Sequence, residues 1–271
     1  MPVGRLVGDR MSFSKEDIAA MAVEFEARLK EAQNLLEAYA VHSFADARAQ
    51  EYAQHGFARR LGTMIRCVRK VFDVLPPENT KVPDRDTRAD AEIHIQAFLF
   101  NAVGAIDNLA WVCVSEKQIR KHSGKELSRR QVILQNSLVS KELSDGLRKT
   151  IDGLADWFEY LEDYRHALAH RIPLYVMPAG LEDSKAAEFQ KLDAQRVDAI
   201  NAGDFAKARK LKEQQLNLTV FRPLMMHSFG EKAKRMLFHP QLLSDLKQIS
   251  VLGRAVLDEF PKGQKPKFTK V

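Results

Sequence analysis

The sequence is poor in cysteine, with two in 271 residues. Cys67 and Cys113 lie in apolar stretches without metal-type spacing, which argues against a disulfide scaffold and against a thiolate metal site. They read as small core residues of a protein kept in a reducing cytoplasm. Met1 to Arg10 lacks the apolar segment of a signal peptide. A clean membrane-spanning run is also missing: the best stretch, Ala97 to Val114, is interrupted by Asn101, Asp107 and Asn108. Those side chains are costly in hydrocarbon, so the stretch is expected to be a buried helix, with no membrane partner. Internal repeats and low-complexity tracts are absent as well.

What the chain does contain is the balance of an ordinary globular protein, 45% apolar and 29% charged. Its length is enough to bury a substantial core. A formal charge of +6 favours an anionic partner.

Helical periodicity dominates. Ser14 and Asp17 form a capping-box pattern that opens a helix reaching about Tyr39, with Ile18, Met21, Phe25, Leu29, Leu35 and Leu36 at three- and four-residue steps. A second helix is expected from Phe44 to Leu75, stopped by Pro76 and Pro77. Pro77 to Arg88 reads as a loop, and a third, largely apolar helix from Ala89 to Val114 reads as central. Ser115 to Arg130 is a basic connector in which Gly124 opposes a continuous helix. One further helix is expected from about Ser144 to His170, and a last one from Pro240 to Phe260.

Between these last two, Ile172–Val176 and Leu218–Arg222 are short β-prone runs that read as a small ribbon. The charged segment Asp183 to Gln215, broken at Gly203-Asp204, reads as a helical hairpin inserted between them. The expected fold is therefore all-α: a bundle of about five long helices with an inserted hairpin and a short two-stranded ribbon. The divisions are residues 1–177 for the bundle, 178–217 for the hairpin, 218–260 for the segment that completes the bundle, and 261–271 for a basic disordered tail.

The chemistry-bearing stretch is Arg165-His166-Ala167-Leu168-Ala169-His170, at the end of an amphipathic helix that Pro173 closes. Three readings apply. Cations near a helix C-terminus complement its partial negative charge, worth about 0.3–1 kcal/mol each. Glu162, His166 and His170 share one stripe and present a carboxylate and two imidazoles to a metal such as Zn²⁺, although Arg165 and Arg171 would repel it. The third reading is RNA cleavage through the ribose 2′-hydroxyl, which calls for a proton-transfer group and a cation for the crowded phosphorane. Histidine suits the first task and the arginine fork the second, with no metal or cofactor required. Residues five apart lie roughly 140° apart around a regular helix. Arg165 and His170 thus converge on one phosphate only through arginine length, a distorted last turn, or a neighbouring subunit.

An Arg-polar-x-x-x-His sequence near the end of a late bundle helix resembles the signature of the HEPN superfamily. The resemblance covers about residues 90 to 175. It implies an all-α bundle that homodimerises and brings two motifs together in a basic cleft. Many members are metal-independent endoribonucleases of toxin–antitoxin, phage-defence or RNA-processing systems, some with an antitoxin or other protein partner, while others only bind RNA or nucleotides. Carried over, His170 is the general acid/base, Arg165 the phosphate clamp and His166 an orienting polar group. Asp107 or Asn101, on an earlier helix, sets their geometry. Arg171 and the connector residues Lys117, Arg120, Lys121, Arg129 and Arg130 are candidate RNA contacts, which would give affinity without sequence readout. The alternative is a catalytically silent RNA-binding or protein-interaction module using the same basic face.

Overall fold

The computed structural model describes residues 13–181, 183–228, 230 and 235–261. The lysines of the expected basic tail lie outside the described residues.

Helix α1 (Lys15–Ala40) opens on the expected capping box: Asp17 N–H donates to the Ser14 hydroxyl at 3.1 Å, and Ser14 N–H donates to the Asp17 carboxylate at 3.0 Å. The second rod is not one regular helix. It consists of α2 (Ala47–Glu51), a π-helical segment at Tyr52–Ala58, and α3 (Arg59–Val74). The wider turn shifts the angular register of everything that follows, including Arg60.

Helix α4 (Arg85–Glu116) starts four residues before the periodic pattern does. Its cap is Asp84, whose carboxylate accepts from Thr87 N–H at 2.8 Å. The basic connector is irregular, as expected, with Gly124 in the left-handed region at φ 76°. After the single turn α5 (Ser137–Ser140), the helix expected from Ser144 to His170 divides into α6 (Asp145–Asp152) and α7 (Ala155–His170). Gly153 sits at the break, where Leu154 N–H bonds to Ile151 O at 3.0 Å in a tighter, three-residue turn. Helix α7 stops three residues before Pro173.

The chain then runs out along β1 (Tyr175–Val176) and β2 (Gly180–Leu181), through α8 (Ala186–Asn201) and α9 (Phe205–Asn217), and back along β3 (Thr219–Val220) and β4 (Leu224–Met226). The expected ribbon is present with different partners. Tyr175 and Val176 pair with Met226 and Met225, while Gly180 and Leu181 pair with Val220 and Thr219. The register slips by one residue between the two halves, where Pro178 and Pro223 cannot donate to the ladder. A third strand, β5 (Met236–Leu237), pairs with β4 and leads into α10 (Phe238–Glu259).

Helix α4 is the centre of the bundle, packed by α3, α7 and α10, with α1 laid on α10. Tyr39, fully buried, donates to Gly253 O at 2.8 Å and ties those last two together. Helices α8 and α9 pack on each other through a separate small core of Ala199, Ala208 and Leu211. Both cysteines are buried, and burial pushes the thiol of Cys67 up to about 11 and that of Cys113 up to about 12. Among the described residues α4 alone is long and apolar enough to cross a membrane, and half of its apolar window is buried inside the bundle.

Candidate functional site

The polar residues that interrupt α4 are not scattered. Asn101, Gly104, Asp107 and Asn108 repeat at three- and four-residue steps and so share one face of the helix. That face meets Arg60 of α3. Arg60 Nε donates to Asn108 Oδ1 at 3.0 Å and Arg60 Nη1 to Asn101 Oδ1 at 3.3 Å. Asn101 is itself fixed through its Nδ2, which donates to Ala97 O at 2.8 Å.

Two glycines make room for this cluster. A Cβ added to Gly104 would lie 2.5 Å from the guanidinium carbon of Arg60, and one added to Gly56, in the π-helical segment, 2.7 Å from the amide carbon of Asn108. Each rod thus omits a side chain where the other inserts a polar head group.

Helix α7 brings the motif alongside. The charges of Arg165 and Arg60 both act on Asp107. Asp107 lies at the surface, but the surrounding helices crowd it, and loss of hydration raises its pKa. Arg165 and then Arg60 oppose that rise, and Glu162 adds to it. Two guanidinium groups therefore act on one carboxylate whose pKa crowding has raised.

The remaining motif residues point into a shallow groove on the outer side of α7. Among the described residues its lining is Glu159, Glu162, Asp163, His166, His170 and Arg171, so Arg165 does not belong to it. The His166 and His170 rings are 6.0 Å apart, and His166 Nε2 is 3.5 Å from Glu162 Oε1. No group of three His, Cys, Asp or Glu side chains among the described residues is arranged to hold a metal ion. At the groove's edge Asp163 is 3.1 Å from Nε2 of the buried His227 and 2.6 Å from Arg171. Partial burial works against ionisation of Asp163, but hydrogen bonds from Arg171 and His227 prevail and hold its carboxyl below the usual carboxylate range.

The connector candidates are placed elsewhere. Lys117 pairs with the deeply buried carboxylate of Glu259 at 2.6 Å, which gives it a structural task. The Arg120 backbone pairs with that of Glu126 in an isolated β-bridge, and Lys121, Arg129 and Arg130 belong to the same irregular connector beyond the end of α4. Lys117 follows Asp107 by ten residues, about 15 Å along the helix axis.

Of the residues singled out in the sequence, Asn101 and Asp107 share the α4 face that meets Arg60, and His166 and His170 line the groove, with Arg165 outside it. Arg60 and Asn108 are not among the candidates, because nothing local in the sequence marks the π-helical shift. The cue within reach was the coincidence of Gly56 and Gly104 with polar residues at helical spacing on α4.

Fold and site together define a helical bundle with an arginine-rich polar seam at the end of its seventh helix. No protein-family model, curated protein or solved structure matches the chain.

Proposed function

We propose that this protein is a metal-independent endoribonuclease of the HEPN type, cleaving RNA through the ribose 2′-hydroxyl and working as a homodimer. The observation that carries the reading is the placement of the motif: Arg165, near the end of a late bundle helix that packs on the central helix, lies within electrostatic reach of Asp107. Arg165 would hold the phosphate, and His170, with His166 beside it, would move the proton. Arg165 and the two imidazoles lie on different sides of α7. A second copy that apposes its own α7 end would complete the set, each protomer's arginine joining the other's histidine. A toxin–antitoxin or phage-defence setting, with a protein partner, fits the same reading.

The test is incubation of the purified protein with single-stranded RNA in EDTA. The expected products end in 2′,3′-cyclic phosphate, and the matching DNA, which lacks the nucleophile, stays intact. His170→Ala should lose about 10²–10⁴-fold in rate. Undiminished cleavage by that variant would end the assignment.

The separation of Arg165 from the imidazole groove favours a second reading, a helical module that binds RNA or protein through the same face without cleaving. RNA binding with no cleavage by wild type, at concentrations where the protein is dimeric, would select it.

A further inference from the structure

We infer that Arg60 is a second phosphate-binding residue, preset by Asn101 and Asn108 over Gly104, so that the site grips two neighbouring phosphates of a single RNA strand. The inference rests on the ribonuclease reading and extends it to how the substrate is held.

Arg60 is half-buried, and both side chains that accept its hydrogen bonds are neutral amides. A carboxylate in either place would hold the guanidinium and cancel its charge. An amide holds it and leaves the charge to act outward. The fork has five N–H donors, of which the amide oxygens take two. The others suit a phosphate, which prefers a planar pair of donors. The nearby anion, Asp107, is shared with Arg165.

A purely structural arginine needs no glycine beneath it. Here two glycines on opposing rods, Gly56 and Gly104, admit the amide and the guanidinium to distances that any Cβ would forbid. That clearance forgoes the better helix propensity of alanine at both positions. Arg60 and Arg165 both act on Asp107, so the seam presents two cationic forks to an extended strand.

The probe is a fluorescent single-stranded RNA with 2′-O-methyl riboses, which cannot be cleaved, titrated with full-length protein in EDTA at several salt concentrations. Wild type should bind, with a salt slope that Arg60→Gln lowers by about one. The same change should weaken binding about tenfold. Arg60→Lys should restore the salt slope but not the affinity, since lysine keeps the charge and loses the fork.

Gly104→Ala is the decisive variant. It leaves every charge in place and displaces only the flexible end of Arg60, so it should weaken binding without lowering the melting temperature. Full-strength RNA binding by both Arg60→Gln and Gly104→Ala, with Arg165→Gln impaired, would overturn the role of Arg60 and spare the ribonuclease reading. Failure of wild type to bind the probe, together with failure to cleave ordinary RNA, would remove both.

Discussion

Helix α7 carries a polar cluster on each of two faces, and the two are built to opposite rules. Toward α10, Asp245 is fully buried and accepts from Trp157 Nε1 at 2.9 Å, Gln241 Nε2 at 2.7 Å and the Tyr160 hydroxyl at 3.3 Å. Three donors meet one carboxyl, and burial pushes its pKa up to about 7 despite them. Toward α3 and α4, two arginines act on Asp107, neutral amides fix one of them, and the cluster reaches the surface. The first cluster is closed, with its partners used up inside the protein. The second is open, with guanidinium donors left over. A closed network fastens two helices together, whereas an open one has interactions to offer something else.

The sharpest way to break the comparison is to remove one member from each side. His170→Ala should cost about 10²–10⁴-fold in RNA cleavage while leaving the thermal melt nearly unchanged, because its ring is exposed at a helix end. Asp245→Ala should do the reverse. It strands the buried Trp157 N–H and the other two donors, and should destabilise by about 2–3 kcal/mol, seen in denaturant melts, with residual activity following the folded fraction. If Asp245→Ala abolished cleavage at full stability, the two faces would not be separate.

A gentler change addresses the proton on Asp245. In the folded protein the carboxyl keeps its proton up to about pH 7, while in the unfolded chain it loses it near 3.9. The folded state therefore binds more protons between those values, and this group's contribution to stability falls as pH rises from about 4 to 7, then levels off. An asparagine side chain at this position would mimic the protonated form: its oxygen accepts from Trp157 and Gln241, and its amino group donates to Tyr160. Asp245→Asn should thus melt much like wild type at pH 4 and gain on the order of 2–4 kcal/mol over it by pH 8. Parallel melting curves across that range would show that the carboxyl is ionised in the folded state.

The sequence made the bundle legible because its signals are local. Apolar spacing marks α1, α4 and α10, Ser14 marks a start, and Pro76 and Pro173 mark stops. The motif was legible for the same reason, being six contiguous residues on one helix. What escaped it was relational. The division at Gly153 needed the packing directions of α6 and α7, and the ribbon's slipped register needed both strands at once. Arg60 became visible only when the π-helical segment turned it onto the face of α4 that carries Asn101 and Asn108. Periodicity assumes 3.6 residues per turn, so one wide turn displaces every later assignment of facing.

The smallest effect asks whether Asp107 senses both sides of the open cluster. Its carboxyl is raised first by crowding, lowered by Arg165 and Arg60, and raised again by Glu162. The substitutions Glu162→Gln and Arg60→Gln must therefore move it in opposite directions: down when the carboxylate goes, up when the guanidinium goes. Glu162 also faces His166 across an exposed 3.5 Å pair, worth less than about 0.5 kcal/mol, so stability should hardly register its loss. Carboxyl-carbon NMR titration of Asp107 in the two variants reads the signs directly. The absence of an upward shift for Arg60→Gln would mean that Arg60 lies beyond electrostatic reach of Asp107. The open cluster would then divide into an arginine–amide contact and a separate Arg165–Asp107 pair, with only the second beside the motif.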